Sequence, residues 1–173
     1  VILVDYTTFI SSKDSIFADF WEKFKLDSIS GNWEYIDSAL FGYAAGKVIE
    51  SFVKFRLEPS QSVVAHFHEW MTGAGILYLK SRNLAIGTVF TTHATVVGRC
   101  ISCNNLPLYS QFDSYNGDEM ARRFNVTARH SLEKCAANNA DVFTTVSDIT
   151  AREAMQFLGR MPSIITPNGF ENS

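Results

Sequence analysis

The sequence predicts an α/β chain built on a parallel sheet, and three observations carry that expectation. Short apolar runs recur along the 173 residues: VILVD (1–5), VVAHF (63–67), IGTVFTT (86–92), DVFTTV (141–146) and SIIT (163–166). They are continuous rather than alternating, as expected of strands covered on both faces. Segments of helical period lie between them, and strands alternating with helices imply βαβ units. With 46% hydrophobic residues, the chain is long and apolar enough for one domain with its own core.

The elements follow in order. VILVD is the first expected strand. Ile16, Phe20 and Phe24 keep an i, i+4 spacing, and Leu40, Ala44, Val48 and Phe52 continue it in a longer helix. The aromatics of the first helix, Phe17, Phe20, Trp21 and Phe24, read as core or as a domain interface. The strand 63–67 runs into a helix containing Leu77. Gly73 and Gly75 sit early in that helix, where each costs stability. Either the helix packs tightly on the sheet, or a ligand approaches the backbone near the helix amino terminus; spacing leaves both open. This G-x-G is too short for a dinucleotide fingerprint. Residues 101–118 have no clear period and read as a loop excursion. Met120, Phe124, Ala128, Leu132 and Ala136 mark one further helix, and the sequon NVT at Asn125 falls inside it. Ser147 is a good N-cap for DITAREAMQFL, on which Asp148, Arg152 and Glu153 read as a solvated face. The tetrapeptide VFTT, at Val89 and at Val142, marks two similar strand ends.

Composition narrows the function classes. Lys and Arg number 15 against 18 Asp and Glu, a net charge of -3, without a block of like charge. Nucleic-acid and anionic-membrane surfaces need clustered Lys and Arg, so neither is expected. No apolar run approaches the roughly 20 residues of a membrane span, and VILVDYTTF lacks the pattern of a signal peptide. Cys100, Cys103 and Cys135 are odd in number and make no disulfide framework. The pair in CISC lacks the second pair zinc would need and the strand–helix setting of a redox motif. The expected compartment is cytoplasmic. The chain opens on a strand without Met and closes on ITPNGFENS, which reads as a fragment of a longer protein.

The candidate site lies at the carboxyl ends of the strands, where open parallel sheets bind ligands. One strand ends in HFHEW, the next in TTHAT, the third in TTVS and the fourth in TPNG. His68, His93, Ser147 and Asn168 are thereby expected on one rim. His66 and His68 are two apart and share a face. Three readings compete there. His66 reads as a hydrogen-bonded core histidine. A metal site would need more ligands, which His93 and Glu69 could supply, but H-x-H-E alone does not make one. Last on the strand, His68 best suits contact with a sugar or a phosphate.

Four motifs in order, VVAHFHEWMTGAGILYL, TVFTTHATVVGR, ADVFTTVSDITAREA and ITPNGF, resemble the N-terminal domain of glycogen synthases of the animal and fungal type. The likeness runs over nearly the whole chain and is strongest over 63–99 and 140–169. It implies a Rossmann-like parallel sheet with helices on both faces, the N-terminal half of a two-domain GT-B glycosyltransferase. Residues 1–173 would form one incomplete Rossmann-like domain. The family's glycine-rich loop would precede Val1, and the C-terminal domain that holds the donor diphosphate would follow Ser173. On this resemblance the full-length protein is a retaining glucosyltransferase that moves glucose from a nucleotide sugar, UDP-glucose foremost, to the nonreducing end of an α-1,4-glucan such as glycogen. The isolated fragment would be inactive. His68 matches the family's active-site histidine, which contacts the transferred glucose, and Asn168 matches an asparagine beside the same sugar. Glu69, Trp70, Thr92, His93 and Thr95 fall in motifs that shape the cleft floor. No metal or cofactor is implied, and homo-oligomerisation of the full-length protein is left open. The chain departs from the family at Cys100, where a Tyr is usual, and at Ala128 and His130, which interrupt a His-Arg-Tyr pattern and leave the role of Arg129 open. From other classes, the alternatives are a non-catalytic glucan- or partner-binding module and a metal-dependent hydrolase built on HFHE.

Overall fold

Four parallel strands form one sheet in the order β1-β2-β3-β4. They are β1 (Val64–His68), β2 (Gly87–Thr92), β3 (Val142–Thr145) and β4 (Ile164–Ile165). The computed structural model describes residues 1–58 and 60–169. The α-helices are α1 (Lys13–Phe24), α2 (Trp33–Arg56), α3 (Glu69–Ser81), α4 (Val96–Cys103), α5 (Gly117–Arg123), α6 (Thr127–Asn139) and α7 (Asp148–Leu158), with 3-10 turns at Thr7–Ser12 and Phe112–Ser114. The expected parallel α/β architecture is therefore present. Four of the expected strands form, each within two residues of its expected bounds.

Strands that neighbour in chain order and cross over right-handedly place every crossover on the same side. Helix α3 packs on β1 and β2, with α2 and α6 against it. Of the two helix-covered faces expected, the described residues cover one. On it Phe67, Phe90 and Phe143 are buried, and the last two stack at 5.8 Å between ring centroids. The other face carries His66, His68, Thr91 and Thr144, and exposes Val64 and Ile164.

The glycines of α3 serve packing. A Cβ on Gly75 would collide with the Phe67 ring and stand 2.9 Å from the Gly42 carbonyl oxygen. One on Gly73 would meet the Ala136 Cβ at 2.9 Å. Buried contacts on both sides of the helix explain why residues that weaken it stand there.

Four expectations need correction. Residues 1–5 form no strand: Val1, Ile2 and Leu3 are exposed, and their backbone pairs with no strand among the described residues. An apolar run becomes a strand only where a neighbouring strand satisfies its amides. The single helix expected around Met120–Ala136 is two, α5 and α6. Asn125 adopts a left-handed φ of 56° between them, a conformation Asn tolerates; the sequon thus lies in a turn, not in a helix. The 101–118 excursion is shorter than expected, because Ile101–Cys103 complete α4 and Gly117 opens α5. Finally, Glu153 is not on a solvated face. Asp148 and Arg152 are exposed, but Glu153 is buried. Ser147 caps α7 as expected, accepting from the Thr150 N–H at 3.2 Å.

Candidate active site at the strand ends

His68 is the last residue of β1 and is exposed. Register pairs it with Thr91 of β2, two residues before His93. The His68 Nδ1 lies 3.3 Å from the His93 Nε2, so one ring donates to the other. The bond couples the two tautomers: whichever ring donates, the other accepts. His66 lies on the same face, its ring centroid 4.2 Å from that of His68. Burial, and then the neighbouring His66 and His93, lower the His68 pKa from its ordinary value; Glu69 opposes them. The neutral ring is thereby favoured near pH 7, ready to donate to one partner and accept from another.

His66 is exposed rather than a core histidine. Its expected hydrogen bond is present: Nε2 lies 2.7 Å from Thr91 Oγ1, which lies 2.6 Å from Thr144 Oγ1. This row ties three strands together on the open face of the sheet. The burial is missing because His66 lies on β1, the edge strand of the described sheet, whereas Thr91 and Thr144 further in are buried.

Glu69 begins α3 with φ at 63°. For a residue with a side chain this costs on the order of 1–2 kcal/mol. Its carboxylate accepts the His93 backbone N–H at 2.8 Å and stands 3.8 Å from Arg99 Nη2. The turn carrying His93 is thus tied to the residue that follows His68. Trp70 is buried, stacked at 6.3 Å on Tyr35, with the Arg129 guanidinium 5.4 Å from its ring. Arg129 also donates to Glu34 at 2.6 Å. Trp70 therefore supports the floor from beneath.

Thr92 and Thr95 are both 0% exposed, so they offer a ligand no surface and shape the turn instead. Thr95 caps α4, accepting the Gly98 N–H at 3.0 Å. Ser147 joins the rim through Thr150, whose hydroxyl reaches the His93 carbonyl at 3.4 Å. Asn168 follows β4 and is exposed. Its strand lies three places from β1, roughly 14 Å away at about 4.8 Å per strand. The structure thus brings His68, Glu69 and His93 together and leaves Asn168 on the same edge at a distance. Arg99, Glu133, Glu153 and Tyr109 also belong to this region and were not picked out from sequence. The available signal was Glu133, a lone acid between Leu132 and the alanines of α6. Among the described residues, no three His, Cys, Asp or Glu side chains are placed to hold a metal ion. Cys100 and Cys103 are free thiols.

A parallel sheet with a histidine pair at its strand ends and a helix starting beside it is the arrangement of a Rossmann-like domain, a fold whose ligands bind at that edge. The glycogen synthase family profile matches residues 1–173, and the chain belongs to that family. It is 36% identical over 169 residues to the liver glycogen [starch] synthase of Rattus norvegicus, covering 98% of this chain and 24% of that protein. It is also 36% identical to glycogen [starch] synthase isoform 2 of Saccharomyces cerevisiae, over 98% of this chain and 24% of that one. The Dictyostelium discoideum glycogen [starch] synthase is 37% identical over 82% of this chain and 16% of its own length. The chain spans about a quarter of the length of the first two. No described helix is long and apolar enough to cross a membrane.

Proposed function

We propose that the full-length protein is a retaining glucosyltransferase of the GT-B arrangement. It transfers glucose from a nucleotide sugar, UDP-glucose foremost, to the nonreducing end of an α-1,4-glucan in the cytoplasm. The observation that carries this reading is the match to the glycogen synthase family over the whole chain. The exposed His68 at the strand-end rim supports it.

The hard step breaks the anomeric C–O bond. Positive charge develops on the sugar ring and negative charge on the leaving diphosphate, and fixed dipoles and donors stabilise both. In this chain His68 orients the sugar. In the tautomer in which His93 Nε2–H donates to His68 Nδ1, the His68 Nε2–H is left to donate to a sugar hydroxyl. This is positioning, not nucleophilic attack. Asn168 would hold the sugar from the far end of the rim once the cleft closes. Closure excludes water and so favours transfer over hydrolysis. Cationic side chains elsewhere in the full-length protein would neutralise the diphosphate, so the step needs no metal.

The test is glucose incorporation into glycogen by the full-length protein, with UDP-glucose and ADP-glucose offered in parallel and no added metal. Incorporation from either donor is the expected result, and the preferred one fixes donor choice. A folded protein that binds glucan and transfers from neither overturns the proposal. His68→Ala is expected to lower kcat by on the order of 100-fold, with little change in folding because the ring is exposed.

A further inference from the structure

We infer that Glu133 of α6 and Glu153 of α7 are positioning residues that clamp the Thr92–Val96 turn and so hold His93 against His68. The inference rests on the function proposed above. Glu133 is 0% exposed. One of its oxygens lies 2.8 Å from Thr92 Oγ1, and the other accepts the Val96 N–H at 2.9 Å. Both ends of the turn therefore meet on one carboxyl group. Glu153 holds the remaining corner. Its Oε2 accepts from Thr95 Oγ1 at 2.8 Å, and its Oε1 accepts from the Tyr109 hydroxyl at 3.1 Å. Gly98 makes the room: a Cβ there would collide with the Glu153 carboxylate and with Thr95 Oγ1. His93 sits in the middle of this turn, with its own N–H held by Glu69.

Two buried acids beside one turn, with no cation within ion-pair distance of either among the described residues, make an expensive arrangement. Burial raises the Glu133 pKa to about 8, and Glu69 and Glu153 add to it. At pH 7 the group is therefore neutral. The Thr92 hydroxyl is within donating reach of both Glu133 Oε1 at 2.8 Å and the Ala94 carbonyl at 3.3 Å, so a neutral Glu133 can donate its proton to Thr92 Oγ1 while that hydroxyl donates to Ala94. The other oxygen still accepts from Val96. Glutamine offers the same donor and acceptor in the same shape; leucine offers neither.

The experiment uses the full-length protein and compares Glu133→Gln, Glu133→Leu, Thr95→Val and Thr95→Ser. Kinetics are read as kcat, KM for the donor and the pH profile of kcat. Hydrogen–deuterium exchange is read on the peptide spanning Thr92–Val96. Glu133→Leu is expected to raise exchange in that peptide and lower kcat on the order of 10- to 100-fold, with donor KM changed far less. The acid limb of the profile should move to higher pH, because a loosened His93 no longer depresses His68. Glu133→Gln should restore all three. If Glu133→Leu does not fold, Thr95→Val against Thr95→Ser makes the same comparison through Glu153. A folded Leu or Val variant with wild-type exchange and an unmoved pH profile overturns the inference. So does a Gln variant as impaired as Leu. Should the wild-type protein transfer no glucose, the functional proposal fails and exchange alone judges the clamp. Raised exchange in Leu with rescue by Gln then supports it, and unchanged exchange overturns it.

Discussion

Two buried glutamates show how differently one side chain is used in this molecule. Glu50 lies between α2 and α3 and is 7% exposed, while Glu133 lies between α6 and the β2–α4 turn and is 0% exposed. Glu50 meets Lys54 Nζ at 2.7 Å and Arg82 Nε at 3.4 Å, and it accepts from the Tyr78 hydroxyl. Those donors, Lys54 first and Tyr78 next, hold its carboxyl at about 2. Glu133 meets only a hydroxyl and an amide, and burial lifts it to about 8. At pH 7 the first is ionised and the second neutral. Burial alone does not decide charge; the partners do. The ionised glutamate staples two helices, whereas the neutral one organises a turn beside the candidate site.

The comparison can be broken or sharpened by measurement, and the largest expected effect is on pH dependence. Glu133 goes from 4.5 to about 8 on folding. Between those values the unfolded chain has lost a proton that the folded chain keeps. Stability should therefore fall as pH rises through this window and level off above it, by about 5 kcal/mol in all. Urea unfolding of the chain from pH 4.5 to 9 measures this, and Glu133→Gln should flatten the slope. If Glu133→Gln leaves the slope intact, Glu133 is not the neutral group described here.

Next in size is Glu133→Leu, expected to cost about 2–4 kcal/mol at pH 7. It strands the Thr92 hydroxyl and the buried Val96 N–H, and faster exchange of the Val96 amide should accompany the loss. Glu50→Gln should cost less, about 1–2 kcal/mol, since it keeps an acceptor but gives up the charge. Glu50 also has the opposite pH signature. Its pKa is lowered on folding, so its contribution is present above 4.5 and is lost as pH falls toward 2; the acid limb of a melting series should shrink in the Gln variant. The smallest effect belongs to Lys54→Met, which removes one arm of an i, i+4 pair from a largely exposed lysine. Roughly 0.3–0.5 kcal/mol is expected in thermal melts. A larger loss there would mean that the Lys54–Glu50 pair escapes the solvent screening expected of a largely exposed lysine.

Much of this architecture was legible in sequence because it depends on local pattern. The runs ending at His68, Thr92, Thr145 and Ile165 become strands because each is apolar, short and followed by a helix or turn. Ser147 caps α7 by a rule confined to a few residues. Legibility failed where a distant partner decides. VILVD has strand composition and no strand beside it. Asn125 interrupts a continuous helical spacing through one left-handed residue. Glu153 stands among Asp148 and Arg152 in sequence but faces Thr95 and Tyr109 in space. The candidate site divides in the same way. The histidines at the strand ends could be named from HFHEW and TTHAT. That His68 touches His93 while His66 leans on Thr91 depends on the register of β1 against β2.

By itself the sequence determined the parallel α/β class, the order of the four strands that form, the family, and the strand-end residues worth watching. Each of these follows from apolar periodicity or from short motifs, which act within a few residues. Tertiary structure alone decided which face of the sheet the helices cover, the neutral state of Glu133 and the ionised state of Glu50. It also decided the clamp on the turn that carries His93. Those outcomes depend on water removed and on donors brought from tens of residues away, and both exist only once the chain has packed.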